Sequence, residues 1–180
     1  MYDVYGGVLN PDICVTINGK KVTCPAGSSI LKAAEIAGVE IPTLCYLKGL
    51  TPTGACGVCV VEIEKEDGSR ILRRACRYRA KDGMVIYTDT PAACAYREER
   101  IQKLVGIHPD DCLSCQKTGG HCKFQEVALK FAINPETREV KNRGIDSTGK
   151  AFIRNMDKCI ACGRCVTVCK EVQKIGVYEM

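Results

Sequence analysis

Within HPDDCLSCQKTGGHC, residues 108–122, lie three cysteines and both histidines of the chain. Thiolate sulfur and imidazole nitrogen are ligands for zinc and iron, so the stretch reads as a metal site. Its spacing, H-x3-C-x2-C-x6-C on His108, Cys112, Cys115 and Cys122, suits two occupants. One is a zinc ion with three cysteines and a histidine, the other a 4Fe–4S cluster with three thiolates and one imidazole. His121 is the rival of His108. Its place beside Cys122 makes binding of both to one cube awkward, which favours His108 and leaves His121 as a solvated or supporting donor.

Two further groups weigh on that choice. CIACGRCVTVC, residues 159–169, has the C-x2-C-x2-C-x3-C spacing of the bacterial ferredoxin run. Cys159, Cys162 and Cys165 suit three corners of a 4Fe–4S cube and suit a single tetrahedral ion poorly. In two-cluster ferredoxins the fourth cysteine of such a run serves the other cluster. Cys169 is therefore either the ligand of a further cluster or the fourth ligand of this one. The remaining group is Cys45, Cys56 and Cys59 in CYLKGLTPTGACGVC, with Cys76 in RRAC. One loop supplies three ligands and a later strand the fourth, the topology of a 2Fe–2S centre. A zinc ribbon usually shows two CxxC pairs, and here there is one. Gly54 and Gly57 allow the backbone close to inorganic sulfide. Beside these two motifs, the opening stretch reads as the 4Fe–4S form. Cys14, Cys24 and Cys94 stand at no ligand spacing and read as small buried filler.

Fourteen cysteines in 180 residues imply either disulfides or metal sites. The first residues, MYDVYGGVLNPDICVTING, show no basic and apolar signal-peptide pattern, and no stretch approaches the length of a bilayer span. A cytoplasmic chain is expected, where cysteines go to metals rather than disulfides. The formal charge of +5 carries no long basic run, so nucleic-acid binding is not expected. Oxidised clusters with mostly thiolate ligands remove about five positive charges, and the loaded chain comes out nearly neutral.

The elements that must hold these ligands follow from local patterning. ICVTINGKKVTC alternates about Asn18-Gly19, a two-residue hairpin signal. Ser28 or Ser29 caps ILKAAEIA, which Gly38 stops. VCVVEI, a turn at Asp67-Gly68, ILRRA and MVIYT supply further strands. Pro91 opens a helix over AACAYREERIQKLVG, KFQEVALKFAI is a second, and VTVCKEVQK is a third with Cys169 turned away from the other three cysteines. Residues 134–150 read as a polar linker. An α+β chain of three modules is expected: a β-grasp 2Fe–2S ferredoxin-like domain over 1–90, a small helical His-ligated 4Fe–4S domain over 91–135, and an incomplete 4Fe–4S ferredoxin-type domain over 136–180.

Taken in order, the three motifs resemble the N-terminal iron–sulfur region shared by iron-only hydrogenases, the large iron–sulfur subunit of complex I and NAD-linked formate dehydrogenase catalytic subunits. The resemblance runs from about 13 to 178. It implies a 2Fe–2S cluster on Cys45, Cys56, Cys59 and Cys76. It further implies a 4Fe–4S cluster on His108, Cys112, Cys115 and Cys122, and at least one more on Cys159, Cys162 and Cys165. The chain departs from the family pattern in a gap one residue longer between Cys115 and Cys122, and in a longer gap between Cys59 and Cys76. It also lacks a second ferredoxin run and a catalytic domain.

The expected function is the relay of single electrons within a multi-subunit redox complex of the hydrogenase, formate dehydrogenase or NADH dehydrogenase type, in an anaerobic setting. No nucleotide-binding glycine turn is present, so a flavin- or NAD(P)-binding subunit and a terminal redox subunit or ferredoxin are the expected partners. A free multi-cluster carrier and a zinc-dependent interaction module are the alternatives. A further 4Fe–4S cluster completed by residues outside these 180 is expected from Cys169, as part of a longer natural chain or with a partner's thiolate.

Overall fold

Asn18 and Gly19 both adopt left-handed backbone angles, φ 49° and 81°, which is what a two-residue hairpin matching the strand twist requires. The turn joins β1 (Asp12–Ile17) to β2 (Lys20–Pro25) in antiparallel register, with Ile17 opposite Lys20. The computed structural model describes residues 11–115, 117, 122–133, 139–140, 142–149, 151 and 153–179. The chain divides into two compact units, residues 1–42 with 59–96, and residues 43–58 with 97–180.

In the first unit the Ser29 hydroxyl accepts from Lys32 N at 3.2 Å and caps α1 (Ile30–Ala37). Gly38, at φ 73°, closes the helix. Three more strands follow, β3 (Val60–Glu64), β4 (Arg70–Arg74) and β5 (Val85–Tyr87). The β3–β4 turn is held by Asp67, whose carboxylate accepts from both the amide and the hydroxyl of Ser69. The sheet order is β2-β1-β5-β3-β4, with β1 parallel to β5 and the other pairs antiparallel. This is the expected β-grasp arrangement. Alternation sends Val15, Ile17, Val61, Ile63 and Ile86 into a core with Ile30, Ala33 and Ala34 of α1. The buried Thr88 is satisfied by the hairpin turn: Asn18 Nδ2 donates to its hydroxyl at 2.7 Å and its amide donates to Asn18 Oδ1 at 2.9 Å.

Helix α2 (Pro91–Gly106) begins at the expected proline. From Arg97 onward it belongs to the second unit, where Ile101, Leu104 and Val105 pack with Leu44, Val58 and Val127. Helix α3 (Lys123–Lys130) is shorter than expected. Ala132 takes φ 50°, a left-handed angle that ends the helix before Ile133. The stretch read as a linker supplies one strand of a small ladder, β6 (Ile145–Asp146), which pairs with β7 (Arg154–Asn155) just beyond it. It is fixed by Asp157 Oδ1, which accepts from Arg143 N and Gly144 N, and by an Arg154–Asp146 ion pair. Residues 134–138, 141 and 150 of that stretch lie outside the described residues. Helix α4 (Arg164–Glu171) starts two residues before the expected span, because Gly163 at φ 72° launches it. No described helix is long and apolar enough to cross a membrane.

Candidate iron–sulfur centres

Four of the expected ligands line one hollow in the second unit. His108, Cys112, Cys115 and Cys122 border a cavity of about 280 Å³, closed on its apolar side by Val105, Phe124 and neighbours from α3. His108 arrives from the end of α2, its amide donating to Val105 O at 3.2 Å. The ring rests on Phe124 at 5.0 Å between centroids. Nδ1 lies 3.0 Å from Pro109 O. A carbonyl only accepts, so Nδ1 carries the proton and Nε2 keeps its lone pair for a ligand bond. Cys122 sits at the N-cap of α3, where Gln125 N donates to its Sγ at 3.5 Å. His121 lies outside the described residues, as do 116 and 118–120 of the longer loop.

Lys158 brings a positive charge to the same loop. Its ammonium donates to Asp111 Oδ2 at 2.6 Å, and that bond, with a second to the Cys115 sulfur, holds the lysine pKa above its ordinary value. The same hydrogen bond from Lys158 keeps the Asp111 carboxyl below the usual carboxylate range.

The ferredoxin run follows directly. Ala161 N donates to Cys159 Sγ at 3.4 Å, with Ala161 in a left-handed conformation at φ 51°. Arg143 Nη2 donates to Cys159 O at 2.9 Å, and the Thr53 hydroxyl donates to Cys162 O at 3.0 Å. Cys165 is exposed on the first turn of α4, and Cys169 is buried one turn further on. The chain then folds back, with Ile175 N donating to Cys169 O at 3.1 Å. Backbone amides of Tyr178, Val177 and Gly176 converge on the Cys169 sulfur and lower its pKa despite the burial. This is an anion-stabilising nest built from main chain.

Of the first cysteine group, Cys45 and Cys56 belong to the second unit and Cys59 and Cys76 to the first. All four are buried. Cys45 and Cys56 bring their sulfurs to 3.3 Å, far beyond disulfide length. The hydrogen bond to Cys45, then burial, drives the Cys56 thiol pKa up. Gly54 and Gly57 take φ 68° and 75°, as a loop wrapped closely about a cluster requires. Cys59 O accepts from Ala75 N at 3.0 Å, which fixes the backbone beside Cys76.

Among the described residues no group of three or more His, Cys, Asp or Glu side chains is placed to hold a single metal ion. The unassigned cysteines divide: Cys24 is buried as expected, Cys94 is half-buried, and Cys14 is exposed. Cys14 points out of β1 because Val15 and Ile17 point in. The Cys169 nest and the Lys158 bridge have no signature in the sequence, since both depend on backbone or chain reversal. The lysine directly preceding Cys159 is the only available hint.

Comparison with known families agrees with this order of motifs. A 2Fe-2S iron-sulfur cluster binding domain matches residues 10–91. The NADH-ubiquinone oxidoreductase-G iron-sulfur binding region matches 97–136, and a 4Fe-4S binding domain matches 152–171. These define an iron–sulfur electron-transfer chain with one 2Fe–2S domain and 4Fe–4S-binding regions. The chain belongs with the iron–sulfur regions that NADH dehydrogenases and hydrogenases share. It is 38% identical to NADP-reducing hydrogenase subunit HndD of Solidesulfovibrio fructosivorans, over 93% of this chain and 29% of that protein. It is 37% identical to the mitochondrial NADH dehydrogenase (ubiquinone) iron-sulfur protein 1 of Solanum tuberosum, over 95% of this chain and 23% of that protein. It thus spans less than a third of either relative. The fold matches a chain in the structure of an NAD+-reducing [NiFe]-hydrogenase in the H2-reduced state, with TM-score 0.80 and 24% identity, over 91% of this chain and 68% of that one.

Proposed function

We propose that the chain relays single electrons through three clusters held in modules 1–90, 91–135 and 136–180. In this reading a 2Fe–2S cluster is bound by Cys45, Cys56, Cys59 and Cys76. One 4Fe–4S cluster is bound by His108, Cys112, Cys115 and Cys122, and another by Cys159, Cys162 and Cys165. Cys169 serves a further cluster or closes the last one, with residues from outside these 180 completing whichever cube lacks a ligand. When bound, such clusters supply one-electron redox chemistry, and their potentials follow ligand type, burial and hydrogen bonds to sulfur.

The observation that carries the reading is the convergence of His108, Cys112, Cys115 and Cys122 on one hollow with an apolar floor. The protein's own work there is definite. Pro109 O fixes the imidazole tautomer, Gln125 N donates to the Cys122 sulfur, and Lys158 places a cation beside Cys115, while in the run that follows Ala161 N donates to the Cys159 sulfur. Phe124 and Val105 exclude water from one side.

The similarity to a hydrogenase subunit and to an NADH dehydrogenase iron-sulfur protein supports a place in a complex of the NADH dehydrogenase or hydrogenase kind. A flavin- or NAD(P)-binding subunit and a terminal redox subunit or ferredoxin are the partners that fit, in the cytoplasm. Anaerobic reconstitution tests the core of the proposal. About ten iron atoms per chain with matching acid-labile sulfide are expected if each ligand set holds its cluster. Stoichiometric zinc with negligible sulfide would sink it.

A further inference from the structure

The first unit gathers four arginines on and just after one edge strand, and three of them form no ion pair with a described carboxylate. Strand β4 lies at an edge of the sheet and carries Arg70, Arg73 and Arg74, and Arg77 follows it at once. Arg70 is committed within the unit: it lies within 4.0 Å of both Glu62 and Glu64, and its guanidinium sits 4.0 Å above the Tyr87 ring. The other three are exposed, and none is ion-paired with a described carboxylate. Arg73 Nη1 donates to Leu72 O and its guanidinium lies 5.7 Å from the Tyr78 ring centre.

These arginines surround a hollow of about 400 Å³, with Leu72, Tyr78 and Tyr96 completing the wall. Its backbone frame is rigid. Arg74 is the Cα partner of Val60 on β3, and Arg74 O accepts from both Arg77 N and Tyr78 N at 3.0 Å. The turn so formed contains the buried Cys76, and Val60 directly follows the buried Cys59. Cations and two tyrosines therefore line a hollow whose wall residues Val60 and Arg77 are the sequence neighbours of Cys59 and Cys76, the two cysteines of this unit in the proposed 2Fe–2S ligand set.

We propose that this hollow is the docking face for an acidic protein one-electron carrier, which exchanges electrons with the centre that Cys59 and Cys76 help to hold. The inference rests on the electron-relay reading above and adds the location and chemistry of one partner's contact. Charge supplies the argument. Unpaired guanidiniums raise the local concentration of an acidic partner and steer its approach, an effect of roughly 10- to 1000-fold on association that salt abolishes. Arginine also stacks on aromatic faces and chelates carboxylates in pairs, so it suits an acidic protein surface better than lysine would. The tyrosines add apolar contact area at small entropic cost. One electron crosses in each encounter, and no atom is transferred.

The test uses the reconstituted chain and a flavodoxin as the acidic carrier. Binding of oxidised flavodoxin is measured by flavin fluorescence, and reduction of the chain by flavodoxin hydroquinone, which becomes semiquinone, is followed by stopped flow. For the wild type, affinity and second-order rate should both fall at least about tenfold from low to moderate salt. Arg73→Glu/Arg74→Glu/Arg77→Glu should lose about as much at low salt and become insensitive to salt. Its 2Fe–2S electron paramagnetic resonance spectrum should match wild type, and its reduction by the cationic methyl viologen radical should not slow. Arg77→Gln alone, which leaves the strand untouched, should lose about threefold and serves if the triple variant does not load its clusters. Salt-independent binding by a wild type with a normal 2Fe–2S spectrum overturns the docking inference and leaves the relay reading standing. Absence of any 2Fe–2S spectrum from the wild type overturns both.

Discussion

The cysteines of the first unit and the proposed 4Fe–4S ligands of the second are held in different ways. In the first, Cys59 and Cys76 are 1% and 2% exposed and sit just before β3 and just after β4 of a sheet with its own aliphatic core. In the second, Cys45, Cys56 and Cys169 are buried, but Cys112 and Cys165 are exposed and Cys115, Cys122, Cys159 and Cys162 are half-buried on loops and helix ends. That unit's packed core is small, and large apolar side chains such as Leu129, Ile153 and Val177 stand exposed. The difference teaches where folding energy comes from. A sheet that buries Ile17, Ile63 and Ile86 closes without help from a metal. On the proposed ligand sets, loops whose cysteines and histidine face a hollow take the cluster as a substitute core, so that binding and folding become one event.

Removing iron should expose the contrast most strongly. Anaerobic chelation is expected to abolish hydrogen-exchange protection in α3 and α4 while β1, β3 and β5 keep theirs. Equal loss in both units would break the comparison. Next in size, Ile86→Ala should cost the first unit about 2–5 kcal/mol, because Ile86 is fully buried between β1 and β3. Calorimetry measures the loss. The His108 cluster spectrum of this variant should match wild type, and a coupled change would show that the units are not separable. His108→Cys should keep a 4Fe–4S cluster and lower its potential on the order of 100 mV, since thiolate replaces a neutral donor. His121→Ala should leave that potential in place, and redox titration followed by paramagnetic resonance distinguishes the two histidines.

The smallest effect concerns acid. Hydrogen bonds from the Ser69 hydroxyl and amide hold the Asp67 carboxyl below its usual range. A depressed folded pKa means that the stabilisation is fully present above the unfolded value of about 3.9 and is lost as pH falls through the lower, folded value. The Asp67 carboxyl carbon shift in metal-free protein should titrate below that of an unstructured aspartate. Titration at the ordinary value would show that the β3–β4 turn also depends on metal, and would narrow the difference between the units.

The first unit is largely readable from residue types, because its turns use residues with single meanings. Asn18-Gly19, Ser29, Gly38 and Asp67-Gly68 each do what their chemistry requires. The cysteine spacing likewise points to the matched 2Fe–2S and 4Fe–4S regions. What escapes is structure without periodicity. Two-residue strands such as β6 and β7 carry no alternation, and their anchor, Asp157, acts through amides more than ten residues away. The end of α3 depends on Ala132 adopting a backbone angle that alanine rarely takes, so composition points past it. Residue type alone makes Cys14 buried filler, whereas strand alternation already assigns it to the outer face.

Residues 43–58 lie in sequence between α1 and β3, yet their apolar side chains Leu44 and Val58 pack with Ile101, Leu104, Val105 and Val127. During synthesis that segment leaves the ribosome well before its packing partners, by about 2 to 17 seconds at ordinary elongation rates of about 5–20 residues per second. Over that interval Leu44, Cys45, Cys56 and Val58 lack their native neighbours from α2 and α3. The nascent chain is then most open to oxidation at these thiols and to chaperone capture.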